Sequence, residues 1–342
     1  MSEGNVMSEG LRIQREEEYE AVEQTPRLAP PLTKPEVPSH QSAVEGTDVE
    51  ISRDSELIGH SAGRRRSRNF RSKLALTLCA LSTVIVMVPL ALILFYIVYQ
   101  GAGALNLSFF TSLPKPVGES GGGMGNAIVG SLILIGIAAV IGVPFGVLAG
   151  TQLAEYRNPR LSWVVRLMSD ILSGVPSIIV GIFVYTLLVL TFKQFSAIAG
   201  GVALGILMLP TIARTTEDML RMVPDTLREA SLALGIPRWR TITSIMIKTA
   251  GGGIVTGIML ATARVAGETA PLLFTALGSR TWPTGLDKPI ASLPVQIYTY
   301  AIAPFDAWHK QAWAGSLVLV LIVLLLSIGS KIFFGRKMKR AN

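Results

Sequence analysis

Apolar runs divide the chain into six predicted membrane spans, at about residues 74–99, 126–150, 167–192, 197–212, 251–277 and 314–334. Crossing a hydrocarbon core of ~30 Å at ~1.5 Å per residue takes roughly 20 mostly apolar residues. The first two runs carry no charge, and the last is almost wholly apolar. The third has Asp170 near its start, the fourth is short and rich in Gly and Ala, and the fifth contains Arg264 and Glu268. Lipid leaves each backbone polar group to be satisfied within its own segment or a closed barrel, so all six are predicted as helices. The fold class is an all-α polytopic membrane protein.

Composition agrees with a bilayer as solvent: 342 residues, 50% of them hydrophobic, with a mean hydropathy of +0.48. Charge adds a direction. From Arg64 onward, Lys and Arg outside the spans divide 20 to 5 between the two sides. The rich side comprises Arg64 to Lys73, the second-to-third connection, the fourth-to-fifth connection and the tail from Lys331. Positive flanks are retained on the cytoplasmic side, so both termini are expected there, in an inner membrane.

The first 63 residues carry 13 acidic and 5 basic side chains and five prolines, with no apolar stripe. Residues 1–72 are therefore expected as a disordered acidic tail ending in the basic run RRRSRNFRSK, and residues 73–342 as the membrane domain. The basic run suits anionic lipid headgroups better than nucleic acid. The first apolar segment comes too late and is too long for a secretory signal, and Met-Ser-Glu-Gly at both Met1 and Met7 leaves the start open. The single Cys79 excludes an internal disulfide, and the three histidines do not cluster. No metal site or bound cofactor is expected. No Gly-Lys dipeptide occurs, so there is no phosphate-cradling loop, and any ATP would be hydrolysed by another subunit.

Within the connection 213–250, VPDTLREASLALGIPRWRTITSIMI implies two short helices, the first opening at Pro224 and Asp225 and closing at Gly235, the second opening at Pro237. Leu227, Ser231 and Leu234 would form one narrow face that docks into a partner's groove or packs locally. Glu229, Ala230, Ser231 and, after three residues, Gly235 resemble the EAA loop of bacterial ABC importer permeases, in which a short coupling helix enters a cleft of the ATPase. The chain departs from that pattern in two places: Ser231 stands for its second Ala, and Ile245-Met246-Ile247-Lys248 stands for its Ile-x-Leu-Pro.

In the fifth span Arg264 and Glu268 are four apart and are therefore expected on one helix face. Charges at membrane depth cost roughly 2.5 to 3.5 kcal/mol each on insertion scales, so they must face protein, water or each other. They are either a neutralising pair holding the bundle together or part of an anion pathway. Arginine's planar fork matches a tetrahedral oxyanion, and a carboxylate can accept a proton from a protonated phosphate, which ionised sulfate cannot offer. Ser173, Ser177 and Thr269 could add hydroxyls. The same segment resembles the PstA family of phosphate transport permeases: Ala263, Arg264, Gly267, Glu268, Thr269, Ala270, Pro271, Leu272, Leu273, Phe274 and Thr275 fill its A-R-x-x-G-E-T-A-P-L-L-F-T pattern. GGGMGNAIVGS, GVPFGVLAGTQLAEY, LSGVPSIIVGIF and LPTIARTTEDML extend the resemblance over most of the chain from Phe110.

The resemblance implies a six-helix type I ABC importer permease (MetI-like) without catalytic chemistry of its own, translocating phosphate with Arg264, Glu268 and Thr269 in its path or gate. It implies a PstC-like partner permease, PstB-like ATPases and a PstS-like binding protein. A permease for phosphite, sulfate or molybdate, or a self-sufficient channel or secondary transporter, are the rivals. Gly142, Gly146 and Gly150 recur every four residues and would admit a close helix neighbour, and Pro144 and Pro176 could kink their spans. Arg166 and Asp170, four apart, are expected to pair locally.

Overall fold

The computed structural model describes residues 42–116, 119, 121–156 and 159–339. Among them regular structure is helical, with one isolated bridge between Leu277 and Ile290. Among the described residues five helical runs are long and apolar enough to cross a membrane, and one bent pair of helices passes the same test when its two members are taken together, giving five or six spans. The chain divides into two units, Met1–Thr83 and Val84–Asn342.

Helix α1, Ser42–Gly101, carries the first span. Residues 42–72, part of the expected acidic tail, are helical here; residues 1–41 lie outside the described ones. The sequence permits the difference. All five prolines of the tail lie between 26 and 38, and none recurs before Pro89, so nothing in the backbone stops a helix that an apolar span has already nucleated.

In the second unit, α2 (Leu107–Thr111) precedes α3 (Gly125–Glu155). The glycine stripe of α3 lies against α6 (Ala197–Arg221): a Cβ on Gly146 would come 2.7 Å from the Ile212 Cβ, and one on Gly150 would come 2.5 Å from the Ala213 carbonyl oxygen. Only glycine allows so close an approach.

The third span is a corner, not a kinked rod. α4 (Pro159–Gly174) and α5 (Ser177–Val184), which continues through a π turn to Phe192, meet at 105°. Pro176 has ψ 135, extended rather than helical, and supplies no N–H to a continuing ladder. The fourth span runs nine residues past its predicted end at 212, so the connection shrinks to the segment between Arg221 and Arg238.

Two short helices fill that segment's ends, α7 (Asp225–Ala233) and α8 (Arg238–Thr241). α8 continues through a π turn, Ile242–Met246, into α9 (Ile247–Ala266). The fifth span, expected unbroken to 277, stops at Ala266, and α10 (Ala270–Thr275) follows. α11 (Leu293–Ala301) and α12 (Asp306–Lys339) complete the order.

The main core gathers Leu134 and Ala138 of α3, Val180 of α5, Leu204, Met208 and Ile212 of α6, Ala261 and Val265 of α9 and Leu272 of α10. A second core, built from Phe109, Met124, Leu293, Tyr300, Ala312 and Val318, lies at the other end from the basic loops and includes a stacked Tyr300–Trp308 pair at 4.5 Å.

Candidate functional site

Two charged places stand out. The first is the break between α9 and α10. Gly267, at φ −96 and ψ 0, caps α9, and the Glu268 N–H still reaches the Val265 carbonyl at 3.1 Å. Thr269 then opens α10, its carbonyl accepting from the Leu272 and Leu273 N–H groups, with Pro271 in the first turn. The break is held from outside. A Cβ on Gly181 of α5 would fall 2.6 Å from the Pro271 Cα, so the third span is packed directly on α10. Because the helix ends at Ala266, Arg264 and Glu268 do not occupy i and i+4 of one helix. Arg264 is exposed and Glu268 half-buried in this chain, and among the described residues they form no ion pair. The neutralising-pair reading thus loses its geometry. Thr269 is half-buried beside them, while Ser173 already donates to the Ser169 carbonyl at 2.8 Å.

The second place is the basic side, where α7 and α8 form a small hairpin. Gly235, at φ 74, makes the reversal that a side chain would resist. Leu227, Leu234 and Trp239 are exposed, the last two at 80% and 62%, as are Glu229 and Ala230. Ser231, expected on the docking face, is buried instead. Its hydroxyl meets the Arg228 carbonyl at 2.9 Å and the Thr241 hydroxyl at 3.0 Å, tying α7 to α8.

Neither short helix is tethered only to the other. Arg228 of α7 places Nε 3.1 Å and Nη2 2.9 Å from the two carboxylate oxygens of Glu155, and it also pairs with Asp225. Arg238 of α8 donates to the Glu155 backbone carbonyl at 2.6 Å and lies over the Tyr156 ring. The hydrogen bond to Glu155 is the largest influence raising the Arg228 pKa further above its ordinary value; burial opposes it. Nearby, Glu217 of α6 is held by Arg166 at 2.5 Å and Arg221 at 2.8 Å, while Asp170 faces Arg214 at 3.9 Å. The expected local Arg166–Asp170 pair is therefore replaced by two pairs reaching from α4 to α6.

Glu155, Glu217, Arg221, Arg228 and Arg238 were not among the sequence candidates, and Arg166 was expected to pair with Asp170 instead. One signal was available: an acidic residue in the last turn of a helix opposes the helix dipole and calls for a partner. Glu155 ends a 31-residue helix with no other charge.

Residues 142–340, more than half of the chain, match the family described as binding-protein-dependent transport system inner membrane component. The chain belongs to that family. As a member it is a multi-pass inner-membrane permease component of a transport system that depends on a binding protein, and the match takes in both charged places. Relatives support the assignment over a longer stretch. The chain is 46% identical over 290 residues to the phosphate transport system permease protein PstA of Yersinia pestis, covering 84% of this chain and 98% of that protein. It is 39% identical over 273 residues to PstA 1 of Mycobacterium tuberculosis strain H37Rv, covering 77% and 87%. Among solved structures, the inward-facing MetNI methionine ABC transporter aligns over 62% of this chain and 92% of its own at 21% identity, with a TM-score of 0.49.

Proposed function

We propose that this permease carries inorganic phosphate into the cell as one of two membrane subunits of an ATP-driven importer, with Arg264 at the helix break as the anion's principal partner. The observation that carries the reading is Arg264 itself, exposed in the apolar end of a span and without a carboxylate partner among the described residues, in a chain 46% identical to a phosphate transport permease along nearly all of that protein's length. A cation so placed needs an anion, water or a partner subunit to offset its transfer from water. Phosphate supplies the first. Glu268 and the Thr269 hydroxyl sit at the same break, where the carboxylate can accept a proton from hydrogen phosphate and so disfavour fully ionised sulfate.

In this reading both termini and the α7–α8 hairpin are cytoplasmic, following the 20-to-5 distribution of basic residues. Exposed Leu227, Leu234 and Trp239 face a PstB-like ATPase, which binds and hydrolyses the ATP; the chain itself holds no cofactor. A PstC-like permease lies alongside, and a PstS-like binding protein delivers phosphate on the far side. Closure of the ATPases draws the hairpins together and opens the permease pair outward, and hydrolysis resets it.

The test is ATP-dependent uptake of labelled phosphate by the reconstituted assembly, comparing the native chain with Arg264→Gln while assembly and ATP hydrolysis are followed. Loss of uptake with intact assembly supports the reading; normal uptake sinks it. Equal transport of sulfate would remove the role given to Glu268. Persistent transport after deletion of Thr226 to Arg238 would favour a self-sufficient channel or secondary transporter over an ATP-coupled permease.

A further inference from the structure

The α7–α8 hairpin has a docking face, but a face transmits force only if its base is fixed to something that moves with the pathway. The hairpin meets the membrane helices in two ways. α8 is the first turn of the continuous run Arg238–Ala266, at whose far end Arg264 lies, so it moves with that span. α7 has no such continuity. It is joined on one side through Met222–Pro224 and on the other through the turn at Gly235, neither of which is helical.

What fixes α7 is one residue. The Glu155 side chain is 1% exposed and accepts both arms of the Arg228 guanidinium, while its backbone carbonyl accepts from Arg238. Residues from the two short helices thus converge on the last turn of α3, the helix whose glycines are packed on α6. The fork-to-fork geometry sets direction as well as distance, because two parallel charge-assisted bonds hold the plane of the guanidinium against that of the carboxylate. The Ser231–Thr241 contact ties α7 to α8, but without Glu155 the hairpin would pivot about the start of the α8–α9 run.

We infer that Glu155 is a positioning residue for transport: through Arg228 and Arg238 it latches the α7–α8 hairpin to the end of α3, so that displacement of the hairpin by its ATPase moves α3 and α9 together rather than bending the hairpin. This rests on the ATP-coupled reading above and adds the part that converts docking into movement. Buried charge pairs are fully compensated only when both members are present, so removing one charge loosens the hairpin without touching its docking face or the pathway at Arg264.

The experiment uses the whole assembled transporter in lipid nanodiscs and proteoliposomes with Glu155→Gln, which keeps shape and one acceptor but removes the charge. Two quantities are read: amide hydrogen exchange across residues 225–241, and phosphate transported per ATP hydrolysed. The expectation is exchange about tenfold faster in 225–241, with 293–301 unchanged. Phosphate moved per ATP should fall about tenfold, the size of a typical coupling loss between two sites, while hydrolysis continues. Unchanged exchange or an unchanged ratio overturns the latch. If Glu155→Gln does not assemble, Arg228→Lys, which keeps the charge but loses the fork, takes its place: a lowered ratio supports the latch, and a native ratio or renewed failure to assemble overturns it in favour of a residue needed only for folding. A native assembly that moves no phosphate would refute the phosphate reading alone, since the exchange measurement needs no substrate and still decides the latch.

Discussion

The two charged regions of this permease handle the same difficulty in opposite ways. On the basic side, two buried carboxylates are each enclosed by arginines: Glu155 by Arg228, and Glu217 by Arg166 and Arg221. At the break after α9, Arg264 and Glu268 lie four residues apart and form no ion pair with each other. Paired buried charges fix geometry, because losing either partner strands the other. Unpaired charges inside an apolar segment keep their hydrogen-bonding capacity for something that arrives. One region is therefore suited to transmit movement and the other to meet an anion. Substitutions should separate them: the break should respond in transport, and the basic side in stability and coupling.

The largest effect is expected at the break. If Arg264 meets the anion as proposed, Arg264→Gln removes a charge-assisted hydrogen bond worth up to ~3 kcal/mol, so uptake of labelled phosphate should fall by about two orders of magnitude. The thermal unfolding midpoint in detergent should stay near native, since Arg264 has no ion-pair partner to lose among the described residues. A large drop in that midpoint would return Arg264 to a structural role and erase the contrast. Glu217→Gln should behave in the opposite manner. It strands two arginines, but at 41% and 52% exposed these can turn toward water, so the cost is nearer ~2 kcal/mol than the full price of a broken buried pair. The expected outcome is a lowered unfolding midpoint with the phosphate-to-ATP ratio kept. A preserved midpoint would mean that the network is dispensable.

That these regions differ was only partly legible in the sequence. The all-helical membrane architecture was, because apolar runs of 20 residues have few soluble explanations. The hairpin was too, since Pro224, Gly235 and Pro237 each dictate a local backbone state. What helical periodicity could not show was where a helix ends inside an apolar run. GETAPL reads as a continuation of the fifth span, yet Gly267 and Pro271 permit a stop that packing of α10 against Gly181 makes favourable. The same limitation turned Arg166 and Asp170 into a local pair, although each reaches α6. The partners lie 51 and 44 residues away, and only the close approach of the helices brings them together. Ser231 failed for another reason: its position on the helix was right, but its small polar side chain fits the interface between α7 and α8 better than a docking face.

A smaller effect tests whether close helix packing keeps the basic side dry. In a helix interior Ala is favoured over Gly by roughly 1 kcal/mol, so Gly150→Ala would stabilise an isolated α3. Here its Cβ would lie 2.5 Å from the Ala213 carbonyl oxygen and equally close to the Thr216 Cβ. Backbone cannot swing aside as a side-chain tip can, so α3 and α6 must separate, at a net cost of ~1–2 kcal/mol. Since Glu155 is five residues on, in the last turn of the same helix, hydrogen exchange in 225–241 should rise together with that of α3. A rise in α3 alone would show that the Glu155 contacts survive helix separation.

The smallest effect is the most discriminating. Ser231→Ala removes one hydroxyl from the α7–α8 interface and leaves the Thr241 hydroxyl with the Pro237 carbonyl at 3.5 Å. The loss should be about 1 kcal/mol or less, because the Ala Cβ occupies space that Ser231 already fills and no charge is stranded. The phosphate-to-ATP ratio should stay native, as α7 and α8 remain separately bound to the end of α3 by Arg228 and Arg238. If this ratio falls as far as in Glu155→Gln, the hairpin's internal contact matters as much as its attachment to α3, and the movement of the hairpin is governed by its own stiffness rather than by where it is anchored.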